Sequence, residues 1–370
     1  MQKMGGNNGS NLAIRLLHIF PTFGVGGQQV RLVTLMREMG EQFSHRVISL
    51  NDDISAIDLL EGHQRSSVSV LKVPKSGFIS GEAIRRLQHR ISYEQSDILC
   101  TYNWGAIEAI VANKLKNQIP HLHFEDGFGP DEGLNQQNWK RVLVRRLLLR
   151  RSRVVVPSKG LQALALNHWQ LPQKVVRYIP NGIATERFSL PRNENQSDLV
   201  IGSVGTIRPE KNFGRLIRAF KASGLSEAGA LKIFGDGPDL DDLVAQTTSM
   251  RGITFPGQIN TPETAYAGFD IFAMSSDTEQ MPLSLMEAMA SGLPVIATDV
   301  GDIANMVSQE NRRFVTPVDD EEALAASLIA LGTNPALRKQ LGQANREKAN
   351  NEFRLDQMVK AHKALYQSVL

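Results

Sequence analysis

Leu199-Val200-Ile201-Gly202-Ser203-Val204-Gly205-Thr206-Ile207-Arg208-Pro209-Glu210-Lys211-Asn212 is a short, β-rich apolar run that ends in a Gly-containing turn and leads into a helical pattern from about residue 213. Strand, turn and helix in that order make a βα unit, and the unit repeats. Apolar runs at 231–234, 271–274 and 294–297 follow it. An earlier series reads the same way: strands at 13–20, 46–50 and 97–101, with a helix at 28–39 after the first. Strands alternating with helices imply parallel sheets, and two series imply two doubly wound α/β domains. The polar, aperiodic stretch 191–197 reads as the linker between them, and residues 352–370 carry apolar positions at helical spacing.

In such sheets ligands sit beyond the carboxyl ends of the strands, so residues just after each strand are the candidates. The richest segment is Glu279-Gln280-Met281-Pro282-Leu283-Ser284-Leu285-Met286-Glu287, continuing to Pro294. Pro282 suits a first helical turn and Gly292 a helix end, which predicts a helix over about 282–291. Its N-terminus exposes free N–H groups that stabilise an anionic diphosphate. Each carboxylate can accept from a pair of vicinal hydroxyls: Glu279 from a sugar, Glu287 from a ribose. The alternative is a pair of ordinary helix-start and helix-surface carboxylates.

Arg208 and Lys211, delivered by the Gly205 turn, can neutralise a departing diphosphate, although two cations three apart also suit a solvated face. Gly24, Gly26 and Gly27 would let backbone approach a ligand, but their spacing is not that of a dinucleotide fingerprint. On the acceptor side His123, Glu125 and Asp126 follow a strand, and a carboxylate near a histidine can orient or deprotonate a hydroxyl. Either could equally be a hydrogen-bonded loop residue.

The chain has 370 residues, 42% hydrophobic and 21% charged, enough for two ordinary cores. Its one cysteine, Cys100, excludes an internal disulfide framework and reads as a core thiol. The polar N-terminus and the lack of any apolar run of about 18 residues predict a cytoplasmic protein that does not span a membrane. Residues 1–180 hold 23 Lys+Arg against 14 Asp+Glu, a net +9, and the remainder 18 against 24, a net −6. A basic first half suits an anionic partner. The stretch 139–151 sets basic pairs between apolar residues, as in a helix lying on anionic lipid or one packed on its own domain with a solvated basic face. No nucleic-acid-reading motif is present.

Together these residues resemble the family 4 glycosyltransferases of the GT-B fold over about residues 14–365. The resemblance implies two Rossmann-like domains facing an interdomain cleft: an acceptor-binding domain (1–185), a nucleotide-sugar-binding domain (186–350) and a final helix (351–370) crossing back onto the first. It implies a retaining hexosyltransferase that needs no metal or cofactor and uses a UDP- or GDP-linked donor. Arg208 and Lys211 would hold the diphosphate, Glu287 the ribose, and Glu279 the sugar hydroxyls with backbone groups of Met281, Pro282 and Leu283. Gln258 and Ile259, in the turn after Gly257, would contact the base, and Gly26 and Gly27 would face the phosphates. Asp126, Arg208, Lys211 and Glu279 are the catalytic candidates.

Two departures stand out: Gln280 replaces the family's usual glycine, and Asp126 its usual histidine, with His123 three residues earlier. The acceptor would be a glycan or polyprenyl- or other lipid-linked glycan of cell-surface polysaccharide or lipopolysaccharide synthesis, reached from the cytoplasmic side, with the enzyme on the inner membrane face. Alternatives are a catalytically silent nucleotide-sugar-binding protein, or an epimerase or phosphorylase of the same fold. Oligomeric state is left open.

Overall fold

The computed structural model describes residues 13–60, 62–73, 79–128, 132–133, 136–191, 198–227 and 229–370. Most of the expected linker, Gly129 and the polar N-terminus lie outside them. The first sheet contains β1 (Ile14–Phe20), β2 (Phe43–Ser49), β3 (Val68–Val70), β4 (Ile98–Tyr102), β5 (His121–Phe124), β6 (Arg153–Val156) and β7 (Val176–Tyr178). All pairings are parallel, in the order β3-β2-β1-β4-β5-β6-β7. The second contains β8 (Leu199–Val204), β9 (Gly229–Phe234), β10 (Ile253–Gly257), β11 (Ile271–Met274), β12 (Val295–Thr298) and β13 (Val315–Thr316), also parallel, in the order β10-β9-β8-β11-β12-β13.

Both orders reverse beside their first strand, between β1 and β4 and between β8 and β11. That reversal opens a crevice at the carboxyl edge. Strands covered on both faces are read from sequence as continuous apolar runs, and β11 is buried at all four positions. Close packing sets individual residues too: a Cβ at Gly202 would lie 2.2 Å from the Phe269 ring.

Five helices frame the site: α1 (Gly27–Glu38), α2 (Trp139–Leu149), α3 (Phe213–Ala222), α4 (Leu283–Ala290) and α5 (Leu355–Gln367). α4 is shorter than the sequence suggests, because Pro282 has extended ψ and caps the helix instead of entering it. The expected last helix is interrupted. A helix Pro335–Glu352 ends, Phe353 and Arg354 pair with Ile183, and α5 then packs Met358, Val359, Leu365 and Tyr366 into the core of the first sheet. The Ile183 amide donates to Phe353 O (2.9 Å) and that of Leu355 to Ile183 O (2.8 Å). A Cβ on Gly182 would meet Arg354 O at 2.6 Å, so this crossing requires glycine. Among the described residues, no helix is long and apolar enough to cross a membrane.

Candidate active site

The two carboxyl edges face one another across a cavity of about 500 Å³, within the size range of small-molecule sites. The second-sheet wall is built by two loops that hold each other. Ser275 Oγ donates to Lys211 O (3.2 Å) and Asn212 O (2.9 Å), and the Asp277 amide donates to Glu210 O (2.8 Å). Asn212, left-handed at φ 44°, caps α3 by accepting from the Arg215 amide. Arg215, buried beneath, donates to Ser275 O (2.7 Å) and pairs with Asp277 (2.7 Å).

Arg208 and Lys211 therefore reach the cavity from a braced turn. Arg208 pairs with Glu210 at 3.0 Å. Lys211 Nζ pairs with Glu279 Oε1, which also accepts from Ser276 Oγ (2.9 Å). The groups expected to hold diphosphate and sugar thus neutralise each other in this structure. A ligand carrying both an anion and hydroxyls can replace each partner.

Below them the α4 N-terminus opens onto the cavity, with Met281, Pro282, Leu283 and Ser284 in the lining. Its N-cap residue, Pro282, makes no side-chain cap. Glu287 is one turn further in. Tyr266 Oη donates to its Oε2 (2.8 Å), while Oε1 has no protein partner among the described residues. Burial pushes the Glu287 carboxyl above its ordinary value, although the Tyr266 hydrogen bond pulls the other way. Burial, with Glu287 close by, raises the Tyr266 phenol well above its usual range. The second oxygen of this cavity-lining carboxylate could accept from ribose hydroxyls.

On the first-sheet wall Gly26 caps α1, and a Cβ at Gly27 would meet nothing within 4 Å. Both glycines and Gly205 line the cavity. Asp126 also lines it, but its two oxygens pair with the guanidinium of Arg31 on α1, Nη2–Oδ2 being 2.7 Å. Arg31 Nη1 donates to Asn181 Oδ1 (2.9 Å), and Asn181 Nδ2 to Met281 O (3.1 Å). A continuous polar chain thus runs from Asp126 through Arg31 on α1 and Asn181 to the loop before α4.

Gln280 stands at the same junction. It lines the cavity near Gly127, and its side chain lies 3.4 Å from Ser158 Oγ. Its carbonyl accepts from the Asp302 amide (3.0 Å), and the Asp302 carboxylate accepts from the amides of Lys159 (2.6 Å) and Gly160 (3.0 Å).

Two acceptor-side expectations need correction. His123 and Glu125 are completely buried and do not line the cavity. His123 Nδ1 bonds Thr101 Oγ1 (2.8 Å) and its Nε2 faces Glu125 Oε2 (3.3 Å). Glu125 answers the buried Arg145 at 3.4 Å, which is ringed by Trp104, Phe128 and Trp169. Both side chains serve the interior of the first-sheet half. Gln258 and Ile259 also lie outside the lining: Gln258 is exposed and Ile259 packs against the α4 core.

Sequence reasoning missed Arg31, Arg215 and Tyr266. A cation on the apolar side of a helix is the available signal for the two arginines; nothing local marks Tyr266. Beside the cleft, a further recess on the first-sheet wall is lined by Thr22, Asn103, Trp104 and Arg141 and shares Gly27, Gly127, Phe128 and Arg208 with it. Asn103 has φ 51°, a rare value for a residue with a side chain, and its Oδ1 accepts from the Asp126 amide (2.8 Å).

Residues 184–348 match the family described as glycosyl transferases group 1, and residues 25–187 that described as glycosyltransferase family 4. The chain is 26% identical to alpha-monoglucosyldiacylglycerol synthase of Streptococcus pneumoniae (strain ATCC BAA-255 / R6) over an alignment of 380 residues, covering 90% of this chain and 83% of the relative. It is 25% identical over 179 residues to N-acetyl-alpha-D-glucosaminyl L-malate synthase of Bacillus anthracis, a match to 48% of this chain and only about half (47%) of that relative. Among solved structures, Anabaena Alr3699/HepE in complex with UDP superposes with a TM-score of 0.78 at 16% identity, covering 96% of this chain and 100% of that one. That likeness is one of fold.

Proposed function

The chain belongs to the group 1, family 4 type glycosyltransferases of GT-B fold, and from that premise we propose that it is a retaining hexosyltransferase. It takes its sugar from a UDP- or GDP-linked donor and passes it to a lipid-linked glycan or glycan of the cell surface. The observation that carries this reading is the single wall on which the Lys211–Glu279 pair, Arg208, the α4 N-terminus and Glu287 meet. It offers cations and N–H groups to a diphosphate, and carboxylates to two sets of hydroxyls. The glycolipid in the name of the streptococcal relative and the UDP in the Anabaena structure support the acceptor and donor classes.

In the proposed reaction the anomeric carbon–oxygen bond to the diphosphate breaks toward Arg208, Lys211 and the α4 N-terminus. The acceptor hydroxyl bonds to the same face, and its proton passes to the leaving phosphate oxygen. No covalent enzyme intermediate and no bound metal are needed, because the cations neutralise the leaving group. Cleft closure excludes water, which would otherwise hydrolyse the donor. We expect Arg208→Ala and Glu279→Ala each to lower donor turnover on the order of a hundredfold. Near-normal turnover in both would overturn the assignment.

One observation favours a second reading, a nucleotide-sugar binder without transferase activity: Asp126, at the family's histidine position, is held by Arg31. Calorimetric donor binding with no transfer to a broad acceptor panel would select that reading.

A further inference from the structure

Helix α2 presents three faces with different environments. Val142, Arg145 and Leu149 are buried in the first-sheet half. Arg141 lines the recess beside the cleft. The third face carries Trp139, Leu143 and Leu147, which are 70%, 46% and 62% exposed. Their spacing of four residues aligns them in one stripe along the helix.

Cations border this stripe. Lys140 lies over the Trp139 ring at 5.7 Å, and Arg150 and Arg151 are exposed beyond the end of the helix. None of the three has a carboxylate partner among the described residues, and no acidic residue occurs between 139 and 151. Arg141 and Arg145, by contrast, are matched by Glu132. A tryptophan and leucines flanked by cations that no described carboxylate matches combine apolar insertion with attraction to negative headgroups.

We propose that this face of α2 docks the protein on an anionic phospholipid bilayer, presenting the Arg141 recess to an acceptor anchored in the same membrane. The acceptor clause rests on the transferase reading above; the docking surface does not. The occupant follows from charge complementarity: residues 1–180 carry a net +9 and the remainder −6, so an anionic plane attracts this half and repels the other.

The test uses the full chain with vesicles of phosphatidylcholine alone and mixed with phosphatidylglycerol, read by co-sedimentation and tryptophan emission. Wild type is expected to sediment with the mixed vesicles, with a blue-shifted emission quenched by brominated acyl chains. Trp169 is completely buried and should not respond. Arg150→Gln/Arg151→Gln should lower partition roughly tenfold or more. Trp139→Ser/Leu143→Gln/Leu147→Gln should abolish the emission change and weaken sedimentation about as much. Equal binding to neutral and mixed vesicles, unchanged emission, or variants that sediment like wild type would each overturn the proposal. So would a wild-type dimer, seen by ultracentrifugation, that the triple variant dissolves while no form binds vesicles.

Calorimetry with UDP and GDP on the same samples separates the two readings. Nucleotide binding without vesicle binding defeats the surface alone. Vesicle binding with no nucleotide binding defeats the transferase reading and leaves the surface standing. Retained nucleotide binding in the variants shows that they are folded.

Discussion

Glu287 shows how a single residue can be legible in sequence and still change meaning in the fold. Its place in the helix suggested a ribose contact; only the structure shows it half-buried against Tyr266, with its second oxygen unmatched among the described residues. The carboxylate accepts ribose hydroxyls best when ionised, so nucleotide binding should pull its raised pKa back down. Affinity is then full above that pKa and weakens as pH falls through it. Calorimetry across pH should show this loss, and Glu287→Gln should flatten the profile while costing about 1.5–3 kcal/mol of binding.

Asp126 changed in the other direction. It was expected to serve an acceptor hydroxyl, but its oxygens are occupied by Arg31 on the apolar side of α1. Removing one partner leaves a buried charge unmatched. Asp126→Ala should therefore lower unfolding stability by about 3–5 kcal/mol in denaturant titration, and Asp126→Asn by less. A variant of unchanged stability would show that the pair does not brace the fold.

At the scale of elements, the site depends on loops that approach one another too closely for ordinary side chains. Gly301, after β12, sits at φ 59°, and a Cβ there would lie 2.2 Å from Glu279 O. Gly301→Ala should push the Glu279 loop away from Lys211 while both sheets stay folded. Turnover should fall roughly tenfold to a hundredfold, as expected for a displaced positioning group, with little change in the unfolding midpoint. An unchanged turnover would mean that the loop moves without consequence. The α4 segment was readable because Pro282 and Gly292 punctuate it locally. His123 and Glu125 were misread because β5 runs on through Phe124, which puts His123 inside the strand, and because Glu125, just past its end, turns under the loop instead of into the cleft. What meets Glu125 there, Arg145 with Trp104 and Trp169 against its guanidinium, comes from distant parts of the chain.

Over the whole molecule, the first-sheet half buries several histidines in neutral form. Burial lowers His18 well below its ordinary value, aided by the charge of His45, and lowers His45 to about 4 and His362 to about 3. Groups whose folded pKa is depressed contribute stability above the unfolded value of 6.5 and lose it as pH falls toward the folded values. The melting temperature should drop on acidification from pH 6.5 to about 4, with proton uptake on unfolding. Each group contributes on the order of 1 kcal/mol per pH unit. His45→Gln should make the drop shallower; an unaltered slope would remove His45 from the account.

The sequence by itself determined the doubly wound character of both sheets, because buried parallel strands such as 199–204 and 271–274 must be apolar throughout and the turns between elements must carry Gly, Pro or capping residues. It also determined which cations and carboxylates follow those strands. Only the tertiary structure decided their partners: Lys211 with Glu279, Asp126 with Arg31, Glu287 with Tyr266. Strand and helix patterns are set by neighbours a few residues away. Burial and pairing at the site are set by segments between 21 and 95 residues apart, whose meeting no local pattern encodes.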